Sequence, residues 1–299
     1  MTPHVPWRQW LPDFVLLALL WGSSFLFMRE GAHAFGPFAT AFVRIFLGAL
    51  LLTPLVIWRG DLHWLGKQWG RLLLSGALNS ALPFACYGYA LLSITTGMSS
   101  ILNATTPLFG ALVARWWLGD RLQGWQMLGL GLGFAGVAAL ASDMPGGISF
   151  DAGGHGLAVL ACLLATLCYG LAGSLTKRHL HHLPALVTAT GSLWGASVLL
   201  SPLAWWTWPA EAPSGSAWAA LVMAGVFSTA LAYVLYFRLL SRTGPARAMT
   251  VTYLIPVFAN LIGVVVLDEV ITPWMLACGG LIVLGTALAS GLVTPRRPS

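Results

Sequence analysis

Two rows of small and polar side chains, set in otherwise apolar sequence, are the residues best placed to do chemistry. The first row is Ser99, Asn103, Thr106, Pro107, Gly110 and Ala114. The second is Ala248, Thr252, Pro256, Ala259, Asn260 and Gly263. Both recur every three to four residues, the spacing that gathers side chains on one face of a helix. Further polar or aromatic groups inside apolar runs are Trp21, Ser24, Asn79, Tyr87, Tyr169 and Ser228, with Tyr233 and Tyr236 close by. These groups hydrogen-bond and stack, and none forms an acid–base pair or an activated nucleophile. The sequence holds no phosphate loop, no HExxH and no nucleophile elbow. The implied chemistry is reversible binding of a small molecule, not bond making, and an enzyme is not expected. The candidate binding set is Trp21, Ser24, Asn79, Tyr87, Asn103, Pro107, Tyr169, Ser228, Thr252 and Pro256. Helix-packing interfaces use the same residue types, so each single residue keeps a packing reading beside the binding one. The two rows taken together favour a cavity.

Arg44 is the one charge clearly inside an apolar run, where a charge is costly. It has two readings: it snorkels to the surface or pins neighbouring helix ends, or it gates the route or meets a substrate carboxylate. It is the candidate gating residue. The segment Lys177–His182, KRHLHH, reads as a basic solvated loop and not as a metal site. Cys86, Cys162, Cys168 and Cys278 all fall in apolar runs, as small buried hydrophobes do, and imply no disulfide framework. No metal and no cofactor is expected.

The elements that must carry these residues are set out by an internal repeat. The run TPLFGALVARWWLGDRLQGW (106–125) matches IPVFANLIGVVVLDEVITPW (255–274). Pro107 meets Pro256, Leu118 meets Leu267, Asp120 meets Glu269, Trp125 meets Trp274, Gly131 meets Gly280 and Gly136 meets Gly285, all at an offset of 149. Upstream, Trp21 meets Tyr169, Gly22 meets Gly170, Pro54 meets Pro202 and Ser80 meets Ser228, at an offset of 148. Self-similarity at a fixed offset names the building unit, here half the chain: 1–145 and 156–299, joined by a Gly/Pro-rich seam at 146–155. Arg44 meets Ser192, so its role is asymmetric.

Of 299 residues, 58% are hydrophobic and 8% charged, with a mean hydropathy of +0.80. Water-soluble domains carry about 25% charged residues, so the chain is an integral membrane protein whose first partner is the lipid bilayer. The net charge of +6 does not point to nucleic acid, because the basic residues sit between apolar runs. Ten runs approach the ~20 residues that cross a bilayer: 11–29, 38–58, 71–92, 98–118, 125–141, 156–175, 183–206, 218–240, 246–267 and 272–292. The first has the general look of a signal peptide but no small-residue cleavage site, and the repeat gives it a counterpart at 161–175, so it reads as a retained helix. The runs are continuous, which excludes a β-barrel. With the N-terminus in the cytoplasm, 13 of the 15 Lys and Arg fall on the cytoplasmic side and only Arg29 on the other, the expected bias. Ten helices put both termini in the cytoplasm. Five per repeat is odd, so the halves enter the membrane in opposite senses. The expected fold is therefore all-α and integral to the membrane, with ten transmembrane helices in two inverted-topology five-helix repeats. Inverted repeats of this kind belong mainly to transporters with a midplane site. The glycines at 129, 131, 133, 136, 280 and 285 suit close helix contacts, either within each half or at a dimer face.

LWGSSF at 20–25, AFVRIFLGALLL around Arg44, and the two copies of P-x-F followed by L-x-[DE] resemble the drug/metabolite transporter superfamily. The resemblance spans the chain and is nearest to the ten-helix EamA branch, in particular its YddG-like exporters of aromatic and other amino acids. It implies two inverted five-helix halves around a cavity, with the fifth and tenth helices peripheral and Trp21, Asn103, Pro107, Tyr169 and Pro256 facing the cavity. Most of the branch carries Glu where this chain has Asp120. The resemblance implies a bacterial inner-membrane carrier that exports amino acids or related small metabolites by alternating access. Phosphorylated-metabolite or nucleotide-sugar exchange and drug efflux on the same fold are the alternatives. Phosphorylated substrates call for several cavity Lys or Arg, and this chain has one.

Overall fold

A computed structural model describes residues 6–142 and 155–291. Much of the seam at 146–155 lies outside those residues, as do Asp143, Asp151, Arg296 and Arg297. Every element of the described residues is helical. The first, α1 (Trp7–Trp58), is 52 residues long. A straight helix of that length would reach about 78 Å, against about 30 Å of hydrocarbon. Gly36 breaks it, at φ 78° and ψ 166°, a conformation open to glycine. Pro37 follows with its φ already suited to a helix start. The first two expected helices are thus both present, on either side of a Gly-Pro corner at 36–37.

After a short α2 (His63–Lys67), α3 (Trp69–Gly76) runs through a π-helical turn at Ala77–Ala81 into α4 (Leu82–Ala90). Next come α5 (Thr96–Asn103) and α6 (Thr106–Val113), the latter extended by a π turn at Ala114–Leu118. They are followed by α7 (Gly124–Ser142), α8 (His155–Leu175) and α9 (Ala185–Trp206). A second composite run is α10 (Gly215–Gly225), a π turn at Val226–Leu231 and α11 (Ala232–Thr243). The chain closes with α12 (Pro245–Met249), a 3-10 turn at Thr250–Tyr253, α13 (Ile255–Leu267) and α14 (Pro273–Ala289).

Six segments are long and apolar enough to cross a membrane, counting the folded 8–58 as one, and α14 is a shorter apolar helix. The expected runs 71–92 and 98–118 are not among the six. The first carries Arg71, Asn79 and Ser80, and the second is broken at Ala104 and Thr105 into two eight-residue helices. Large side chains face outward along the apolar helices, and Trp58, Trp116, Trp205 and Trp206 are each more than 80% exposed near helix ends, as interfacial aromatics are.

The glycine rows serve mainly one helix pair. A Cβ at Gly129 would meet Ala289 and the Gly285 carbonyl, and one at Gly136 would meet Ile282 and Cys278. Gly285 packs on Gly133 in the same way, whereas Gly131 and Gly280 face open space. So α7 packs on α14, and within its own half on α6 as well, where a Cβ at Gly133 would strike Leu108.

Candidate functional site

The site begins where the helices stop being regular. α5 ends at Asn103, and α6 starts with Thr106 and Pro107 in its first two positions. In the second half the 3-10 turn carrying Thr252 gives way to α13, which starts with Ile255 and Pro256. The two breaks stand at equivalent places. The prolines do not kink a continuous helix, as their mid-run positions suggest. Each sits in the first turn of a new helix, where its missing N–H costs nothing. Side chains beside the breaks bond locally: Thr106 Oγ1 donates to the Asn103 carbonyl at 2.7 Å and Thr252 Oγ1 to that of Met249 at 2.8 Å.

The π turns at Ala77–Ala81 and Val226–Leu231 are also at matched places. Mid-helix π turns often mark functional sites. Asn79 lies on the first, Ser228 and Thr229 on the second. Asn79 Nδ2 donates to the Tyr233 hydroxyl at 3.2 Å. The Tyr87 hydroxyl donates to Asn103 Oδ1 at 2.8 Å, and the Tyr87 ring stacks on Tyr169 with centroids 6.4 Å apart.

Arg44 is only 4% exposed, so it does not snorkel. Its side chain reaches across to the second half. Nε donates to Thr229 Oγ1 at 3.0 Å, Nη2 to the Ser228 carbonyl at 3.5 Å and Nη1 to Met28 Sδ at 2.8 Å. Its guanidinium lies 4.1 Å from the Phe84 ring centre. Among the described residues no carboxylate pairs with it. The Ser228 hydroxyl is buried beside it without a hydrogen-bond partner. A buried cation with no counter-ion, next to a free hydroxyl and an aromatic floor, has the groups to pair with a small carboxylate. Nothing here can break a covalent bond.

The expected residues divide. Arg44, Asn79, Tyr87, Asn103, Tyr169 and Ser228 belong to this cluster. Trp21 joins through a file of rings, Trp21–Tyr236–Phe237–Tyr233, with successive centroids 5.6 to 5.8 Å apart. Ser24 spends its hydroxyl on the Trp21 carbonyl at 2.7 Å, and Thr252 spends its own on Met249. Pro256 is buried. Pro107 lines a separate hollow of about 230 Å³ with Ala111, Ala114 and Asp120. Phe84, Met28 and Thr229 were missed. Phe84 had a readable signal, since it falls four residues after Ser80 and three before Tyr87, on their face.

The comparisons with known proteins agree with a transporter. The chain is 26% identical over 280 residues to the uncharacterized transporter YvbV of Bacillus subtilis, covering 91% of this chain and 88% of that one. It is 26% identical over 292 residues to a probable terminal-alkyne amino-acid exporter of Streptantibioticus cattleyicolor, covering 95% and 94%. It is 27% identical to the uncharacterized inner membrane transporter YedA of Escherichia coli over 267 residues, 86% of this chain and 83% of that one. A solved crystal structure superposes with a TM-score of 0.66 at 21% identity, covering 95% of this chain and 97% of that one, which speaks to the fold alone. Residues 10–142 and 156–291 each match the EamA-like transporter family. This chain is a membrane transporter, not an enzyme, and it belongs to the EamA-like transporter family.

Proposed function

We propose that the protein is an inner-membrane efflux carrier for amino acids or related small metabolites, working by alternating access. Ten crossings in two inverted five-helix halves, with both termini in the cytoplasm, are the architecture of this reading. It draws support from the two family matches of similar length and from matched local geometry. Left-handed residues close the fourth and ninth expected helices at Gly119 (φ 76°) and Asp268 (φ 52°), and the π turns and first-turn prolines also correspond. The observation that carries the substrate assignment is Arg44, a buried cation with no carboxylate partner, flanked by Phe84 and, across the cluster, by Tyr87 and Tyr169. One cation suits a single carboxylate, and an aromatic floor suits an apolar side chain. Phosphorylated substrates call for several cations, which favours amino acids. The amino-acid exporter among the relatives is consistent with this choice.

The test is uptake by purified protein in proteoliposomes, with a panel of aromatic and aliphatic amino acids, phosphorylated sugars and cationic drugs. Saturable uptake of amino acids, stimulated by the same amino acid preloaded inside, is the expected result. Uptake confined to phosphorylated sugars or to drugs overturns the assignment.

A further inference from the structure

The two acids that end the repeated motif are in different situations. Glu269 is nearly enclosed, its side chain 7% exposed. Its carboxylate accepts from the Thr96 backbone N–H at 2.9 Å, the Thr96 hydroxyl at 2.8 Å and the Gly97 N–H at 3.3 Å. It also forms an ion pair with Arg29. The donors at the start of a helix are otherwise unpaired and favour a negative charge. Glu269 thus fastens the end of α13 to the start of α5, while Arg29 ties in the first part of α1. Two glycines make room: a Cβ at Gly263 would strike the Glu269 carboxylate and the Thr96 hydroxyl, and a Cβ at Gly97 would strike the Asn260 side chain.

Asp120 lies at the far end of the run that begins at Thr96. It pairs with Lys177 at 3.1 Å, but these side chains are 50% and 65% exposed. Among the described residues no helix start donates to it. Beside it opens the 230 Å³ hollow, lined by Pro107, Ala111 and Ala114 and closed on its other side by Gln126 of α7 and Ala289 and Ser290 at the end of α14.

The repeat lets the two ends be compared position by position. Arg29 corresponds to Lys177 at an offset of 148, and Glu269 to Asp120, Thr96 to Pro245, Gly97 to Ala246 and Gly263 to Ala114 at 149. Every change weakens the second set. Lysine lacks the fork that grips a carboxylate with two bonds. Aspartate reaches less far than glutamate. Proline has neither the hydroxyl nor the N–H that Thr96 supplies. Ala114 carries a methyl group where Gly263 has a hydrogen.

We propose that Glu269, Arg29 and Thr96 are the latch that shuts one end of the translocation route, and that the weaker matching set leaves the other end open at rest. These are positioning residues: they hold helices together and touch no substrate. With the orientation given under Proposed function, on which this last step rests, the empty carrier is shut toward the periplasm and open to the cytoplasm, where an exporter must collect its cargo.

The test needs no substrate, so failure of the transport panel leaves it intact. The full chain, with its four cysteines replaced by Ala, receives one reporter: Ser99→Cys, one turn inside the latch, or Ala111→Cys, in the hollow. Each is placed in liposomes and labelled with a membrane-impermeant thiol reagent. Before any latch change, Cys at 111 should react at least tenfold faster than at 99. Glu269→Gln should raise labelling at 99 about tenfold and lower it at 111 by a similar factor, because opening one end closes the other. Thr96→Val, a milder change, should move both rates the same way by less, and it serves if Glu269→Gln does not fold. A rise at 99 with no fall at 111 would mean a local structural contact, and no change at either reporter would mean no latch. Either outcome overturns the proposal.

Discussion

A buried arginine without an acid partner has a measurable signature. Burying a charge is costly, and replacing it with an apolar side chain of similar size is often neutral or stabilising. Arg44→Met leaves Thr229 with its bond to the Ala224 carbonyl at 2.9 Å and orphans few polar groups. The expected outcome is an unchanged or higher melting temperature in detergent, with amino-acid uptake reduced at least tenfold. If Arg44 is only a pin between helices, both quantities fall together. Asn103 and Tyr87, which bond to each other, were legible as polar groups inside apolar runs, but the polar rows were not legible as single faces, since each is broken into separate helical pieces. The direction of Arg44 was not. Its place in the sequence allows the long side chain to run outward to the surface or inward to the second half. Only the π turn that brings Thr229 and the Ser228 carbonyl within reach decides between them, and no sequence pattern announces that turn.

At the scale of elements, regular helices were read from apolar runs with ends a few residues off, and their irregularities were not. Gly36 was not singled out either, although Gly-Pro between two long apolar stretches is a breaker in its own right. The left-handed close of the ninth expected helix shows a difference between the halves. Gly119 adopts this conformation freely, whereas Asp268 carries a Cβ there, the one non-glycine with positive φ among the described residues. A left-handed residue with a Cβ costs roughly 1–2 kcal/mol, and Asp tolerates it better than most. Asp268→Gly relieves that strain and should stabilise the protein by ~1 kcal/mol, partly offset by the entropy of glycine in the unfolded chain. Gly119→Ala should destabilise by ~1 kcal/mol. Thermal unfolding of the two variants in one detergent measures both, and equal shifts of the same sign would refute the assignment of strain.

At the scale of the whole molecule, the orientation proposed above rests on the charge bias along the sequence. Impermeant labelling of single cysteines placed at Ser299, in the 59–67 loop and at Asp151 checks it. The first two should react only from the cytoplasmic side and the third only from outside. Energy coupling is the second question at this scale. Proton-driven carriers hold a titratable group that exchanges its proton during transport. Asp120 and Glu269 follow the ends of their helices, and Glu269 is engaged in four contacts. Transport is therefore expected to follow the substrate's own gradient: in sealed liposomes a pH gradient alone should not concentrate an amino acid. Accumulation driven by pH and lost in Asp120→Asn or Glu269→Gln would show the opposite. The seam of α7 against α14 carries a consequence for how the two halves are held in one chain. The last helix of each half grips its counterpart backbone to backbone, so the covalent join is not what holds the halves together. Residues 1–145 and 156–299, made as two separate polypeptides in one cell, should find each other, co-purify through a tag on either and transport. Gly285→Leu in the second piece should leave each fragment in the membrane unpaired. On this view the two halves behave as two subunits that share one chain, held by the surface through which they meet.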